Sequence, residues 1–591
     1  MVSCALTTIW LAASLGQAPP AAAPATAAPS PEASWLKVAP AEADVVLRVR
    51  GLQGAREDLA KMAKAMSPTF APQAQAMLDQ GSAMFAAQFG KNASTLPFMV
   101  LVRLPKDGEN GPPPYAVIVG AKDYAAVQKQ VVGPAGNAKP KPQPGGYDAV
   151  SGPNNEPIYT FKGANFVAYG TSNDLLGAIA KPKTVLDTKL APEVRARFLA
   201  GDLGVYVNLA AVQARYGEQI QDFRKTQMAK LDEVAAKEGP QAQAADQGKV
   251  VLNRMIDSLK DGDSMAMNID FAAEGLSVDG FTAVKADSAA AKRLAGSKAG
   301  AGETLASMPA DAAFYVYSNI DDQALQQLQM FSMASLSGSG KPSPEAEKAA
   351  ALFREAGLRE FTSAASFGKG GVRTIGLMNF ADPKKAAEGS LEAMKANKPE
   401  GSDLIKDVKF VPDAQKYKGY NLSSVKITFD QEKMSKLAPN ANGKGVGNGL
   451  LGESMTTWNG TNGKLFLTVA APDWDAAKEQ IDTVLGGTGG LGQVAGYKAI
   501  REMLPKQVGS LFLISAQSLL KQGLAQFAAL QPDNPAAKAD LDLPKSPALF
   551  GGAVTPTAKG LMFKFYLPST VGPVVEKGIM PFLGGGEKVQ Q

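Results

Sequence analysis

Short runs of apolar residues, interrupted by polar ones, predict many β-strands along the chain. Examples are VVLRV at 45–49 and MAMNI at 265–269. This imperfect alternation is typical of sheets with one face packed on helices and the other partly solvated. The stretch SPEAEKAAALFREAG at 343–357 predicts a helix with Ser343 as N-cap and Pro344 at its first position. Hairpins mixed with helices, without a regular βαβ rhythm, predict an α+β fold with largely antiparallel sheets covered by helices.

The same series of elements occurs twice in the same order. VAPAEADVVLRVRGLQGAREDLAKM from 38 resembles SMPADAAFYVYSNIDDQALQQLQMF from 307, and GANFVAYGTSNDLLGAIA from 163 resembles NGKLFLTVAAPDWDAAKEQI from 462. IDFAAEGLSVDGFTAV from 269 resembles AVTPTAKGLMFKFYLP from 553, each a predicted hairpin with its turn at Gly275 or Gly560. Matches in one order predict a tandem duplication. The Gly/Ala-rich stretch at 296–304 marks the boundary between the two copies.

The N-terminus has the layout of a secretory signal. ALTTIWLAASL at 5–15 is apolar, but it is shorter than the about 20 residues that span a bilayer. A Pro/Ala tract follows, and no Lys or Arg precedes the apolar stretch. Cys4 lies before that stretch, so it does not resemble a lipid-attachment cysteine. We predict an exported protein, periplasmic or at the cell surface, with a retained membrane anchor as the alternative. The predicted organisation is a signal peptide 1–27, a Pro/Ala linker 28–34, repeats 35–300 and 301–583, and a flexible tail 584–591.

Composition narrows the possible chemistry. The 591 residues include no His and one Cys, Cys4. Ser-His-Asp and Cys-His nucleophile systems are therefore excluded, and zinc, copper and haem lose their commonest ligand. The charge is +5 from 61 basic and 56 acidic residues, with no dense basic run of the kind that nucleic-acid binding requires. Without His, few groups titrate between about pH 5 and 8, so stability is expected to be nearly constant there.

Three patterns suggest chemistry only superficially. GKGVGNG at 443–449 lacks the preceding strand of a phosphate-binding loop, which favours a flexible loop. Ser518 and Lys521 fit Ser-x-x-Lys, as do Ser423 and Lys426, but the companion motifs of penicillin-recognising enzymes are missing. The following acidic pairs lack the spacing of a calcium loop, so turn and helix-cap roles are favoured over metal binding or acid–base catalysis. They are Asp261/Asp263, Asp321/Asp322 and Asp473/Asp475.

Met and Phe residues are concentrated in two predicted helical stretches. They are Met62, Met66, Met77, Met84, Phe85, Phe89, Met330, Phe331 and Met333. Core packing is their usual role, although adaptable Met-rich surfaces also suit a groove for an apolar ligand or a partner peptide.

The pattern PADAAFYV at 309–316, together with FVAYGTSNDLLGAI from 166, resembles a family of uncharacterised exported bacterial proteins with a duplicated domain of unknown function. The resemblance implies an extracytoplasmic, duplicated α+β protein and brings no catalytic residues with it. The N-terminal copy departs from the pattern, with AEAD at 41–44 where the second copy has AD at 310–311.

These observations predict a non-enzymatic extracytoplasmic binding or scaffold protein. They assign no catalytic, cofactor-binding or metal-binding residue, and they predict no cofactor. The predicted partner is an unknown envelope protein or an apolar small molecule, not a nucleic acid. One alternative is a periplasmic carrier of lipid or another apolar ligand. A second alternative is a hydrolase that uses carboxylates or a Ser-Lys pair.

Overall fold

The computed structural model describes residues 31–583 with gaps. The gaps are 70, 90–95, 106–112, 122, 133–138, 153–155, 237–244, 246–247, 250–251, 254–255, 258, 320–343, 369–370, 397–404, 434–451, 531–540, 542 and 545. The predicted signal peptide 1–27 and the predicted tail 584–591 lie outside the described residues. Residues 31–34, within the predicted linker, belong to a helix.

The described chain forms one sheet of twenty strands. The N-terminal half contributes β1 Val45–Val49, β2 Phe98–Val102, β3 Tyr115–Val119, β4 Lys141–Pro142, β5 Asp148–Ser151, β6 Pro157–Lys162, β7 Val167–Gly170, β8 Leu203–Val207, β9 Gly262–Ala272 and β10 Gly275–Val284. The C-terminal half contributes β11 Phe314–Ser318, β12 Leu358–Gly368, β13 Gly371–Phe380, β14 Ile405–Tyr417, β15 Tyr420–Phe429, β16 Ser454–Thr461, β17 Phe466–Ala471, β18 Ser510–Ser515, β19 Leu549–Thr557 and β20 Gly560–Pro568. The segments 45–49 and 265–269, both predicted to be strands, lie in strands of this sheet.

α-Helices accompany the sheet in both halves. In the N-terminal half they are α1 Pro31–Trp35, α2 Leu52–Met66, α3 Ala71–Phe89, α4 Tyr124–Val132, α5 Asn173–Ala180, α6 Leu186–Lys189, α7 Pro192–Leu199, α8 Leu209–Ala235 and α9 Ala289–Ala295. In the C-terminal half they are α10 Pro344–Ala356, α11 Pro383–Ala396, α12 Trp474–Gly486, α13 Ala495–Met503, α14 Ala516–Leu530 and α15 Val571–Leu583. The mixture of helices with a large antiparallel sheet confirms the predicted α+β content. As predicted, Pro344 is the first residue of its helix.

Neighbouring strands in the sheet are antiparallel throughout. From one edge to the other, the N-terminal half has the order β4-β5-β6-β7-β3-β2-β1-β8-β9-β10. The C-terminal half continues from β10 with β20-β19-β18-β11-β12-β13-β17-β16-β15-β14. Read outward from the centre, the two halves therefore have the same strand order. Both predicted hairpins are present, because β9 joins β10 at Gly275 and β19 joins β20 at Gly560.

The pairing of β10 with β20 joins the two halves at the centre of the sheet. Asp279 and Lys564, each the fifth residue of its strand, lie directly opposite one another. The core crosses this junction, since Met562 of β20 packs in the hydrophobic cluster of the N-terminal half with Phe281 of β10. The two halves therefore bury apolar surface against each other at this junction.

Helices cover both faces of the sheet. On one face, the front face, α5 and α7 pack on the N-terminal half, and α12 and α13 pack on the C-terminal half. On the opposite, back face, α4 and the start of α2 cover the N-terminal half, whereas α10, α11, α14 and α15 cover the C-terminal half. Strands covered on both faces carry apolar residues at successive positions, which explains why runs such as FMVLV in β2 do not alternate cleanly.

The two outer strands are unsuited to pairing with another chain. β4 has only two residues, one of which is Pro142. β14 contains Pro412, and its register against β15 is broken between Val411 and Gln415. Short edges, prolines and irregular register are devices that prevent edge-to-edge aggregation.

A buried arginine closes the end of helix α7. Arg48 of β1 is 1% exposed, and its guanidinium donates to the carbonyl oxygens of Leu199 (2.9 Å), Ala200 (3.2 Å) and Gly201. Leu199 is the last residue of the helix, Ala200 is its C-cap and Gly201 follows, so no helical N–H is available to these carbonyls. Burial lowers the pKa of Arg48 from its usual value, with Glu32 acting in the opposite direction. The sequence pattern predicts that Arg48 faces solvent, whereas in the structure it is buried and its charge stabilises the end of a helix.

Asp279 at the central junction is expected to make stability depend on pH. Burial raises the pKa of Asp279 above 3.8, while Arg197 (3.2 Å from its carboxylate) and Lys564 act against this rise. A raised pKa means that the native state binds more protons than the unfolded state, so stability falls as pH increases from about 4 through the native pKa. We expect the free energy of unfolding of the wild type, relative to that of Asp279→Asn, to decrease as pH rises through this range. The total decrease should be about 1.4 kcal/mol for each unit by which the pKa of Asp279 is raised.

Urea denaturation at a series of pH values measures this difference. Asp475→Asn is the control, because Asp475 is exposed in the first turn of α12 and should leave the slope unchanged. A wild-type advantage that grows with pH would contradict a raised pKa for Asp279.

Candidate functional site

A polar cleft opens on the front face of the C-terminal half, between helix α12 and strands β12 and β13. Its volume is about 460 Å³, which includes space open to solvent. The residues that line it are Pro309, Asp311, Ala312, Ala364, Ser366, Arg373, Ile375, Glu479, Gln480 and Thr483. The lining combines apolar residues such as Ala364 and Ile375 with several polar groups, and its exposed surface is mainly polar.

Helix α12 forms one wall of the cleft, and its two ends are fixed locally. Asp473 is the N-cap, and its carboxylate accepts a hydrogen bond from the N–H of Ala476 at 2.8 Å. The helix ends at Gly487, whose φ of 71° is left-handed and favours glycine. Ala477, Ile481 and Val484 bury the helix against the sheet. Glu479, Gln480 and Thr483 are consequently held at the side of the helix that faces the cleft.

The opposite lip is tied to the glycine-rich loop after α12. Ala310 N–H donates to the carbonyl of Gly489 at 3.2 Å, and Leu491 N–H donates to that of Met308 at 2.8 Å. Pro309 and Gly490 also form a β-bridge. The sequence pattern of this loop is typical of a mobile segment, whereas its backbone is hydrogen-bonded in the structure. The glycines fit because Gly490 lies against backbone, where an added Cβ would be 2.8 Å from the carbonyl oxygen of Ala306.

Two nitrogen donors on cleft side chains have no protein partner among the described residues. Arg373 of β13 lies opposite Ser366 of β12, and no ion pair or hydrogen bond to its side chain is found in the described part of the chain. The Nε2 atom of Gln480 is buried and has no hydrogen-bond partner. An unpaired buried donor costs about 1–3 kcal/mol. Such a cost is offset when a ligand supplies an acceptor.

Two carboxylates stand beside these donors. The side chains of Asp311 and Glu479 line the same cleft and are exposed. The cleft thus contains one guanidinium, one amide and two carboxylates, together with the hydroxyls of Ser366 and Thr483. Thr483 is already engaged, because its Oγ1 donates to the carbonyl of Glu479 at 3.1 Å.

Tyr315 lies next to the cleft but offers it no proton. Its side chain is fully buried, and its hydroxyl donates to the carbonyl of Pro309 at 2.9 Å. Burial raises the pKa of Tyr315, and Asp311 raises it further. The phenol therefore stays neutral, with its hydrogen bonded to the backbone, and serves as packing beneath the lip.

The matching region of the N-terminal half is filled. In the N-terminal half, Leu101 of β2 lies opposite Val46 of β1, and in the C-terminal half Ala364 of β12 lies opposite Tyr315 of β11. The larger Leu101 therefore occupies the position that corresponds to Ala364 in the cleft. Ile179 follows the N-cap of α5 by seven residues, as Gln480 follows that of α12, and Ile179 is buried. The cleft therefore arises from particular side chains of the C-terminal half and not from the backbone arrangement alone.

The two Ser-x-x-Lys patterns do not form Ser-Lys pairs in the described structure. Ser518 is 9% exposed and its hydroxyl accepts a hydrogen bond from Ser515 at 2.9 Å, whereas Lys521 is exposed. Ser423 is buried in β15 and its hydroxyl accepts from the N–H of Asp413, whereas Lys426 is exposed. Residues three apart in a strand point to opposite faces. Both serines therefore have structural hydrogen bonds.

One member of each described acidic pair accepts a hydrogen bond at the start of a helix. Asp473 caps α12, and Asp261 accepts from the N–H of Ala290 at 2.8 Å near the start of α9. Asp263 makes only a long contact of 3.4 Å, with the hydroxyl of Ser264. No group of three or more acidic, His or Cys side chains able to hold a metal occurs among the described residues. The pair at 321–322 and the loop at 443–449 lie outside them.

Of the Met and Phe residues singled out in the sequence, two illustrate opposite environments. Met62 of α2 is 8% exposed, which fits core packing, but Met77 of α3 is 74% exposed. The described part of α3 contains no buried residue, and Asp79 is the helix's only charged residue. The side chains at 84, 85, 89, 330, 331 and 333 lie outside the description.

Comparison with protein-family models, with curated proteins and with solved structures finds no match for the chain. Within the described residues, no helix combines the length and hydrophobicity that crossing a membrane requires.

The sequence analysis assigned no functional role to the cleft residues, although Pro309, Asp311 and Ala312 lie in the pattern PADAAFYV. A signal was present, because aligning GANFVAYGTSNDLLGAIA with NGKLFLTVAAPDWDAAKEQI places Gln480 opposite Ile179. An amide at a helix position that is apolar in the similar segment of the other half indicates a polar environment. Arg373 carried no comparable signal, because Arg is common at exposed strand positions.

Proposed function

We propose that the protein is a non-enzymatic binding protein whose cleft holds a small polar ligand. The observation that carries the proposal is the pair of donors in the cleft, Arg373 and the buried Nε2 of Gln480, neither of which has a partner in the described structure. Buried polar groups in proteins are nearly always hydrogen-bonded, and those left open in a concave site suit a ligand with acceptors. The larger side chains in the N-terminal half indicate one such site per chain.

Binding is favoured over hydrolysis by the environment of the acidic groups. A carboxylate pair can hydrolyse glycosides when one member lies in apolar surroundings and acts as an acid. Asp311 and Glu479 are both exposed, and the serines of the Ser-x-x-Lys patterns are engaged in structural hydrogen bonds. The cleft therefore offers recognition groups without a buried acid.

We also propose that the two halves are copies of one module, in a protein that works outside the cytoplasm. The common strand order of the halves and the matching bridges Pro40–Val185 and Pro309–Gly490 support duplication. Each bridge lies just before the first strand of its half. Export is supported by the apolar stretch 5–15 and the Pro/Ala tract after it.

Helix α3 favours the second candidate, a carrier of lipid or of another apolar ligand. The helix carries a single charged residue, Asp79, and no buried residue in its described part, while Met77 is 74% exposed. Exposed apolar surface of this kind is stabilised when an apolar partner buries it from water. Native mass spectrometry tests this candidate, since a carrier should co-purify with lipid and a ligand-free spectrum would count against it.

Filling the cleft should abolish binding of a polar ligand. Ala364→Leu introduces the side chain that the N-terminal half has at the matching position, and the larger residue should occupy the ligand's space. We expect loss of binding to any compound that ligand-detected NMR identifies from a library of small polar metabolites. The melting temperature measures how well the cleft accommodates the larger side chain, because Ala364 is 2% exposed and borders the core of the C-terminal half.

Ala364→Ser is the matched control, since it keeps the space open and should retain binding. Were the position already tightly packed, Ala364→Leu would cost about 1–3 kcal/mol through overpacking. Such a loss of stability, or equal binding by Ala364→Leu and wild type, would refute the cleft as the ligand site.

A further inference from the structure

The groups in the cleft define the chemistry of its ligand more narrowly than polarity alone. We propose that the cleft recognises a small zwitterion with a free carboxylate and a free ammonium, of the kind found in α-amino acids and short peptides. This inference rests on the proposed function and adds the ligand class to it.

The carboxylate of the ligand is matched to Arg373. A guanidinium presents several donors in a planar fork that fits a carboxylate through two parallel hydrogen bonds. In the described part of the chain, neither Asp311 nor Glu479 forms an ion pair with Arg373, although both line the same cleft. The fork is therefore available to a ligand.

Gln480 supplies a second donor to the same end of the ligand. Its Nε2 is buried and has no hydrogen-bond partner, so it gains one by donating to a ligand oxygen when the side chain turns toward the cleft. A neutral acceptor such as a peptide carbonyl, or the second oxygen of the carboxylate, meets this requirement. The amide thus favours a ligand with oxygen acceptors over a purely cationic one.

The ammonium of the ligand is matched to Asp311 and Glu479. These two carboxylates approach the cleft from different sides, one from the lip before β11 and the other from helix α12. With Arg373 they give the lining a net charge of −1 when all three are ionised, and a bound zwitterion leaves that balance unchanged. A ligand that carried only negative charge would meet two like charges at the rim.

The N-terminal half is expected to bind no such ligand. There, Arg103 is already paired with Asp174 at 3.3 Å, and Leu101 and Ile179 fill the space. The stoichiometry should therefore be one zwitterion per chain.

Isothermal titration of the full chain with four probes tests the ligand class. L-alanine and L-alanyl-L-alanine carry both charges, N-acetyl-L-alanine lacks the ammonium, and L-alaninamide lacks the carboxylate. At least one zwitterion should bind with a stoichiometry of one. Each single-charge analogue should bind at least about 10-fold more weakly than the zwitterion, because a hydrogen-bonded charge is lost.

Variants identify the group that reads each end. Arg373→Met should weaken binding of the zwitterion by about 10- to 100-fold. It should also remove the preference of the protein for the zwitterion over L-alaninamide. The double variant Asp311→Asn, Glu479→Gln should instead remove the preference over N-acetyl-L-alanine. Arg354→Met is the matched control, since Arg354 is exposed on α10 and should leave all four affinities unchanged. Circular dichroism verifies that each variant is folded.

The outcomes separate this inference from the proposed function. Equal binding of zwitterion and single-charge analogues, or an Arg373→Met variant with unchanged affinity, would overturn the ligand class. Binding of other polar compounds that is lost in Ala364→Leu would then still support the cleft as a site. Failure of every polar compound in the library to bind would overturn both.

Discussion

Arg48→Met should lower the free energy of unfolding by about 3–5 kcal/mol, because it removes a buried guanidinium that donates to three backbone carbonyls. The substitution leaves the carbonyls of Leu199, Ala200 and Gly201 at the end of α7 without a donor. Burial of the guanidinium opposes part of this stabilisation, as its lowered pKa indicates. The net decrease in the free energy of unfolding is therefore smaller than the sum of the costs of three unpaired carbonyl acceptors. Urea denaturation monitored by circular dichroism measures it.

Arg50→Met is the control for Arg48. Arg50 lies two residues further along the chain and is exposed, so its replacement should change stability by less than about 0.5 kcal/mol. Equal effects of the two substitutions would mean that the contacts of Arg48 with the helix end contribute no more than a solvated arginine does.

Trp35→Ala should cost a similar amount, about 3–5 kcal/mol, through the loss of a large buried side chain and the cavity left behind. Trp35 is 1% exposed at the end of helix α1 and belongs to the front core of the N-terminal half. Its ring approaches Gly120, where an added Cβ would lie 3.2 Å from Cζ2. The fit leaves neighbouring groups little freedom to close the cavity.

Met77→Ala provides the comparison for Trp35, since Met77 is 74% exposed and its truncation should be nearly neutral. Thermal unfolding followed by circular dichroism avoids dependence on the fluorescence of the deleted residue. A Trp35→Ala protein as stable as wild type would show that α1 is not an integral part of the N-terminal core.

The coarse fold could be predicted because hydrophobic patterning and turn residues act locally. Gly275 and Gly560 mark hairpins in the sequence, and both hairpins form. Pro344 marks the first residue of a helix for the same reason, since its fixed φ suits that position. Such signals depend on a few neighbouring residues and survive in any tertiary context.

Tertiary contacts decided the features that the sequence did not reveal. Arg48 looks like a solvent-facing residue in VVLRV, and only the distant end of α7 explains its burial. The cleft depends on Ala364 and Gln480 meeting across elements that are over a hundred residues apart. Residues 31–34 resemble a continuation of the Pro/Ala tract, yet they form a helix that ends at the buried Trp35.

The opposed charges at the centre of the sheet limit how separate copies of this chain could associate. If β10 of one molecule met β10 of another in the register of the central pairing, Asp279 would face Asp279, and a β20–β20 meeting would place Lys564 against itself. Like charges directly opposite in an antiparallel ladder are unfavourable, whereas the Asp279–Lys564 arrangement is complementary. Pairing of β10 with β10 or of β20 with β20 is thus disfavoured, and β10 pairs preferentially with β20. A dimer in which two molecules exchange halves would have to keep this β10–β20 pairing.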